Sequence, residues 1–246
     1  MDGVLLIDKP AGLSSHDVVA AVRRVLPREP GARFARVGHA GTLDPFATGL
    51  LLLLVGKATK AQSALMALPK SYETVAGLGA LSSTGDTEGE ITFTGRLPPD
   101  PPELATGELR QRPPIYSAVK IDGERAYKRA RRGESFRMPE RVITVHRFEQ
   151  LWRDPEPPSG VEPSGRPTRA AFAIECSSGT YVRSLIADLG DAYCLELRRT
   201  AVGPFDVADA VALPARGRAW ERPPLIALER ALELVRGAPS PRAGGQ

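Results

Sequence analysis

A chain of 246 residues, 42% hydrophobic and 25% charged, can bury a substantial core as one domain or as one large and one small. No apolar run approaches the ~20 residues of a bilayer-spanning helix, and the N-terminus reads directly into a strand without a signal-peptide pattern, which disfavours membrane-spanning and secreted classes. Cys176 and Cys194, with His16, His39 and His146, show no metal-ligand spacing, so the expectation is a cytoplasmic protein with no metal and no cofactor.

In chain order, Val4–Ile7 reads as a short buried strand and Ser15–Leu26 as a helix with a serine N-cap. Gly49–Val55 reads as a buried strand, followed by a short helix around Thr59–Leu68 and an alternating strand over Tyr72–Gly79. Ser82–Gly89 is a polar loop, while Gly95–Pro102 and Asp154–Pro167 are Pro/Gly-rich connections. Between them the pattern predicts a strand near Tyr116–Ile121, a basic helix near Glu124–Arg132 and a strand over Val142–Phe148. Ala170–Cys176 is a strand, Tyr181–Ala192 a helix capped by Thr180, and Leu195–Val202 a strand. A last helix over Leu225–Val235 precedes a Gly/Pro-rich end expected to be disordered. This irregular alternation favours antiparallel pairing with helices packed on the sheet, an α+β fold.

One stretch concentrates chemistry. Gly38-His39-Ala40-Gly41-Thr42-Leu43-Asp44-Pro45-Phe46-Ala47-Thr48-Gly49 runs straight into the apolar Leu50–Val55. Its glycines permit close backbone approach, and Pro45 restrains the carboxylate-bearing residue before it. Asp44 therefore sits on a stiff loop at the mouth of core structure, where catalytic groups often lie. Organising the turn is the competing role for an Asp before Pro.

This loop resembles the signature of the TruB family of tRNA pseudouridine synthases. Further blocks match in the family's order: Gly3-Val4-Leu5-Leu6-Ile7-Asp8-Lys9-Pro10, Lys70-Ser71-Tyr72 and Pro114-Ile115-Tyr116-Ser117-Ala118-Val119-Lys120. Then come Cys176-Ser177-Ser178-Gly179-Thr180-Tyr181-Val182-Arg183 and Leu197-Arg198-Arg199, so the match spans roughly residues 3–205. The resemblance implies a pseudouridine synthase fold, a mixed and largely antiparallel sheet with flanking helices and a central RNA-binding cleft. It also implies a catalytic domain over 1–207 with a thumb-like segment at 116–145. About forty residues follow Val207, too few for the C-terminal PUA domain of fuller bacterial members, so 208–246 is expected to be a short helix and tail.

The implied reaction is isomerisation of the T-arm uridine at tRNA position 55, with Asp44 as nucleophile. An unperturbed Asp is ionised at neutral pH and needs no base to activate it. Attack at C6 of the uracil and action at C1′ are both open to a lone carboxylate. By the resemblance Arg183 pairs with Asp44, as an arginine fork can hold a carboxylate ionised. Tyr72 stands against the target uracil; stacking returns roughly 1–3 kcal/mol against a flipping cost of the same order. His39 fills space vacated by the flipped nucleotide, and Tyr181 and Leu197 match substrate-contacting positions. Lys9 either supports the cleft or binds phosphate.

The net charge of +4 is uneven: Lys120–Arg141 holds eight basic and four acidic residues, leaving zero for the rest of the chain. Within it Lys128, Arg129, Arg131 and Arg132 are candidate phosphate contacts, the footprint of a nucleic-acid binder. A solvated amphipathic helix is the plainer alternative. The expected partner is the tRNA T-arm stem-loop, with no membrane and no obligate protein partner, and the protein a monomer. Two other functions stay open: a guide-dependent rRNA pseudouridine synthase relative, and a non-catalytic RNA-binding or tRNA-folding module.

Overall fold

The computed structural model describes residues 1–26, 35–155, 166–213, 220 and 223–238. In chain order the elements are β1 (Gly3–Lys9), α1 (Ser15–Val25), β2 (Val37–His39), β3 (Thr48–Val55), a 3-10 turn (Gly56–Ala61), α2 (Gln62–Met66) and β4 (Lys70–Leu78). Next come β5 (Ala80–Ser82), β6 (Ile91–Phe93), β7 (Gly107–Gln111), β8 (Lys120–Ile121), β9 (Glu124–Arg125), α3 (Ala126–Arg131) and β10 (Arg141–Arg153). The remainder is β11 (Thr168–Cys176), α4 (Val182–Ala187), β12 (Ala192–Val202), β13 (Phe205–Asp206), β14 (Val211–Ala212) and α5 (Leu228–Gly237).

Met1–Tyr72 and the described residues from Leu197 onward form one compact unit. Its strands lie in the order β14–β1–β3–β12, with β2 beside β3 and β13 beside β12. β1 runs antiparallel to β3 from Gly3 opposite Val55 to Lys9 opposite Gly49. β12 comes in parallel, Arg198 opposite Thr48 and Arg199 opposite Gly49. Leu50 to Leu54 are all fully buried. Leu50, Leu52 and Leu54 pack with Val4, Leu6, Val202, Phe205 and Ala231, while alternation turns Leu51 and Leu53 to the opposite face. A strand covered on both faces requires such a continuous apolar run. α5 contributes Leu228, Ala231, Leu234 and Val235 to this core, and Ile226 exchanges two 2.8 Å backbone hydrogen bonds with Val4. α1 opens with a capping box between Ser14 and Asp17, so the N-cap is Ser14. The Ser14 hydrogen bonds hold the Asp17 carboxyl below the ordinary Asp range.

Glu73–Glu196 forms the second unit, with strand order β12–β4–β11–β10–β7. β10 is antiparallel to β11 with register shifts between Val145 and Arg147 and between Gln150 and Trp152. β7 is antiparallel to the start of β10 and sets Gln111 opposite Arg141. β5–β6 and β8–β9 are separate hairpins. Antiparallel pairs predominate, with parallel contacts at β1–β14 and β3–β12. The fold is thus α+β on a mixed, largely antiparallel sheet.

Several elements depart from the sequence expectations. The strand expected near Tyr116–Ile121 is a bend joined only to the short β8. Its carbonyls are taken elsewhere: Tyr116 O by Arg183, Ser117 O by Tyr127 N–H, Ala118 O by Arg125 and Val119 O by Ala126 N–H. The basic helix begins only at Ala126, because Asp122 (φ 52°) and Gly123 (φ 86°) form a two-residue hairpin turn between β8 and β9. The helix expected at Tyr181–Ala192 ends at Ala187, where Gly190 at φ 123° turns the chain toward β12. Thr180 does not cap it; its hydroxyl donates to Ser177 O at 3.0 Å, and Tyr181 holds the cap position without a side-chain bond. The helix around Thr59–Leu68 divides into the 3-10 turn and α2. β7 forms over Gly107–Gln111, where no element was expected from the sequence. Most of the expected Asp154–Pro167 connection and the end of the tail lie outside the described residues.

Candidate active site

The loop that carries Asp44 is held by side chains from sequence-distant elements of its own unit. Arg199, 1% exposed, donates from Nε to Leu50 O at 2.7 Å, from Nη1 to Thr42 O at 3.3 Å and from Nη2 to Gly41 O at 3.1 Å. Ser15 Oγ, at the start of α1, accepts from Leu43 N–H at 2.9 Å and donates to Leu43 O at 3.2 Å. Lys9, fully buried at the end of β1, donates to Pro10 O and Leu13 O at 2.8 Å and to Pro45 O at 3.2 Å. These bonds tie Lys9 to the chain on both sides of the Asp44 loop, as support of the cleft, one of the two roles read for it, requires. Asp44 O closes the series by accepting from Ala47 N–H at 3.2 Å.

Every carbonyl from Gly41 to Pro45 thus has a donor, and Asp44 itself is half-buried at the centre of the run. Buried carbonyls left unpaired cost about 1–3 kcal/mol each, so these ties fix the loop strongly. Gly49 closes it: at φ 99°, an added Cβ would lie 2.3 Å from Arg199 O. Only glycine lets β3 lie this close to β12 at that point.

Other expected site residues of this unit lie on flanking strands. Tyr72 is buried on β4. Leu197 is buried on β12. His39, on β2, packs edge-on against His16 with ring centroids 5.4 Å apart, and its carbonyl accepts from Gln62 Nε2 at 2.8 Å. Lys70, also buried, donates to Met66 O and Leu68 O and so closes the end of α2.

In the second unit Arg183, 3% exposed, lies in the first turn of α4. Its Nη1 is 3.1 Å from the buried Asp86 carboxylate and donates to Thr84 O at 2.7 Å, while Nη2 donates to Tyr116 O at 2.9 Å. Asp86 also accepts from Thr84 Oγ1 at 2.5 Å and Glu88 N–H at 3.0 Å. Removing one member of such a buried pair costs about 3–5 kcal/mol, because it strands the other's charge. Tyr181 is half-buried just ahead of the helix. Cys176 and Cys194 are buried free thiols.

Within the basic segment the four candidate cations divide into two kinds. Arg132 forks onto Glu124 with two 2.7 Å bonds and reaches Glu134 at 2.7 Å. Arg129 joins Glu134 at 2.8 Å and Asp122 at 3.3 Å. Hydrogen bonds from Arg132 hold Glu124 and Glu134 below the usual glutamate range. Lys128 and Arg131 form no ion pair among the described residues, although Arg131 lies over the Tyr127 ring at 5.7 Å. Two of the four therefore stand outside the ion pairs formed among the described residues.

Ser15, Asp86, Gln111 and Arg199 were not singled out as site residues from the sequence. Each is a buried polar side chain whose partners lie far along the chain. Arg199 stands in a matched block, which was the only available signal. Among the described residues no three His, Cys, Asp or Glu side chains group so as to hold a metal ion. No described helix is long and apolar enough to cross a membrane.

The fold and the pinned aspartate loop define a class before any closer relative is considered. Among solved structures, a chain of a Cbf5–Nop10–Gar1 complex superposes with TM-score 0.59 and 32% identity, over 86% of this chain and 52% of that one. A chain of an H/ACA RNP bound to a substrate RNA containing 2′-deoxyuridine gives TM-score 0.56 and 29% identity, over 86% and 51%. This chain spans about half the length of those structural relatives. The TruB family pseudouridylate synthase N-terminal domain matches residues 29–182. The tRNA pseudouridine synthase B of Thermobifida fusca is 45% identical over 229 residues, covering 86% of this chain and 73% of the relative. That of Opitutus terrae is 41% identical over 253 residues, covering 98% and 96%. The chain belongs to the TruB family of pseudouridylate synthases.

Proposed function

We propose that this protein isomerises uridine to pseudouridine in tRNA, at position 55 of the T-arm loop, with Asp44 as nucleophile. The observation that supports it most is the half-buried Asp44 at the centre of a loop whose carbonyls are tied by Arg199, Ser15 and Lys9. In the reaction the C1′–N1 bond breaks, the uracil turns, and C5 bonds to C1′. The C5 proton leaves and N1 gains one, so nothing is consumed. Asp44 supplies the nucleophile, Tyr72 the face against which the extruded base stacks, and Arg183 the fork that aligns the carboxylate. His39, Tyr181 and Leu197 contact the substrate.

Catalysis is assigned to residues 1–207 and RNA grip to 116–145, where Lys128 and Arg131 are the phosphate contacts. The protein works in the cytoplasm as a monomer. Release of tritium from C5-labelled tRNA tests the activity: Asp44→Asn should abolish release while tRNA binding stays within about twofold. Release by that variant within tenfold of the parent protein removes Asp44 as nucleophile. Arg183→Lys keeps the charge but loses the planar fork and its bonds to Thr84 O and Tyr116 O, so the Tm should fall and release should fall steeply even well below that Tm. Normal release with a normal Tm removes Arg183 from the alignment of Asp44.

A further inference from the structure

Tyr181 is read above as a substrate contact, and the second unit contains a device that fixes it. Gln111, at the end of β7 and only 3% exposed, accepts from Tyr181 N–H through Oε1 at 2.8 Å and donates from Nε2 to Tyr181 O at 3.0 Å. A single buried amide thereby closes a two-bond ring on one residue's backbone, as a strand partner would. An apolar side chain of the same size fills the space but removes both of these bonds, leaving Tyr181 O only the N–H groups of Ser184 and Leu185 at 3.1 and 3.2 Å.

Directly opposite Gln111 in the β7–β10 register is Arg141, whose guanidinium lies 5.7 Å from the centre of the Tyr181 ring. Gly179, at φ 84°, takes the left-handed turn that carries the chain past Arg141 toward Tyr181. The chain on both sides of Tyr181 is sewn to the same two strands. Ser177 exchanges hydrogen bonds with Thr144 of β10, and Ser184 Oγ donates to Arg112 O just past β7. Arg141 is also the last residue of the basic Lys120–Arg141 segment.

We propose that Gln111 and Arg141 are positioning residues for Tyr181, one fixing its backbone and the other its ring, and that they link the ring to the C-terminal end of the basic segment. The assignment rests on the reading of Tyr181 as a substrate contact. Its mechanism is geometric: a misplacement of about 1 Å in a substrate-positioning group can cost about a hundredfold in rate.

The test measures single-turnover isomerisation of a T-arm hairpin, with Kd from titration, for Gln111→Met, Arg141→Met, Arg141→Lys and Tyr181→Ala, and for Gln111→Met and Arg141→Met in the Tyr181→Ala background. Gln111→Met should slow the single-turnover step by about ten- to a hundredfold with Kd within about twofold. Arg141→Met should slow it several-fold, and Arg141→Lys, which keeps a cation over the ring, less. Both effects should vanish in the Tyr181→Ala background. If Tyr181→Ala leaves the rate unchanged, the substrate-contact reading fails and the positioning pair with it. If Tyr181→Ala slows the reaction but the effects of Gln111→Met and Arg141→Met persist undiminished in that background, the positioning assignment is overturned while the reading of Tyr181 stands. Should Gln111→Met lose its thermal transition, the half-exposed Arg141 decides by the same criterion.

Discussion

Arg199 and Arg132 carry the same guanidinium into opposite surroundings. Arg199 is 1% exposed and spends its fork on three backbone carbonyls of the Asp44 loop and β3. Arg132 has a half-exposed side chain and spends its fork on Glu124 and Glu134, themselves about 40% exposed. The buried fork is little screened by salt, and its bond to Leu50 O is wholly buried. The exposed one gains little over hydration and is screened at ordinary ionic strength. The Asp44 loop is thus built for fixed geometry, whereas the basic segment has a shape held by ties that other charges can exchange. Phosphates are such charges.

The sharpest way to break this contrast is Arg199→Met, which leaves carbonyls of the Asp44 loop unpaired. Stability should drop by about 3 kcal/mol, seen as a fall in Tm of roughly 5–10 °C that persists in 1 M salt. Isomerisation should fall with it even though the residue is assigned no contact with RNA. A stable variant with normal turnover would mean that Ser15 and Lys9 suffice to hold the loop.

A middle-sized effect separates the cations of the basic segment. Replacing Lys128 and Arg131 by glutamine should flatten the log–log salt dependence of T-arm binding by roughly 0.7–0.9 per lost phosphate contact. Replacing Arg129 and Arg132 should flatten it less, because each already faces a carboxylate. Equal changes for the two pairs would show that RNA displaces the internal ion pairs completely.

The smallest effect concerns stability alone. Arg132→Gln should lower the Tm slightly in low salt and leave it unchanged in 1 M salt. Because Glu124 and Glu134 have pKa values depressed below their ordinary range, their ties are present above the ordinary glutamate pKa and lost as pH falls through the depressed values. The difference between Arg132→Gln and the parent protein should close over that same acid window. A Tm difference that ignores both salt and pH would place Arg132 among the buried kind.

The same contrast accounts for what could be read from the sequence. The six apolar residues Leu50–Val55 announce a strand covered on both faces, and the glycines and proline around Asp44 announce a stiff loop. Both signals are local. What holds that loop is not: Arg199 reaches back about 150 residues to Leu50, Thr42 and Gly41. No spacing marks an arginine for burial on carbonyls, or Gln111 for the backbone of Tyr181. The bend at Tyr116–Val119 was missed for the same reason, since its carbonyls belong to Arg183, Arg125 and the start of α3. The Asp122-Gly123 turn, by contrast, had a legible hairpin signal in its dipeptide. Gly190 likewise marked the early end of α4.

The distance between Arg199 and the loop it ties bears on how the protein is made. The chain leaves the ribosome N-terminus first, at about 5–20 residues per second. Asp44 and its loop therefore emerge roughly 10–30 s before the arginine that anchors them. During that interval β1 can pair with β3, and Lys9 and Ser15 can close their side of the loop. The carbonyls of Gly41 and Thr42 still await β12. A nascent chain thus exposes its aspartate early but acquires a fully tied Asp44 loop only near the end of synthesis, and a protein truncated before β12 would carry the whole loop sequence without the arginine that fixes it.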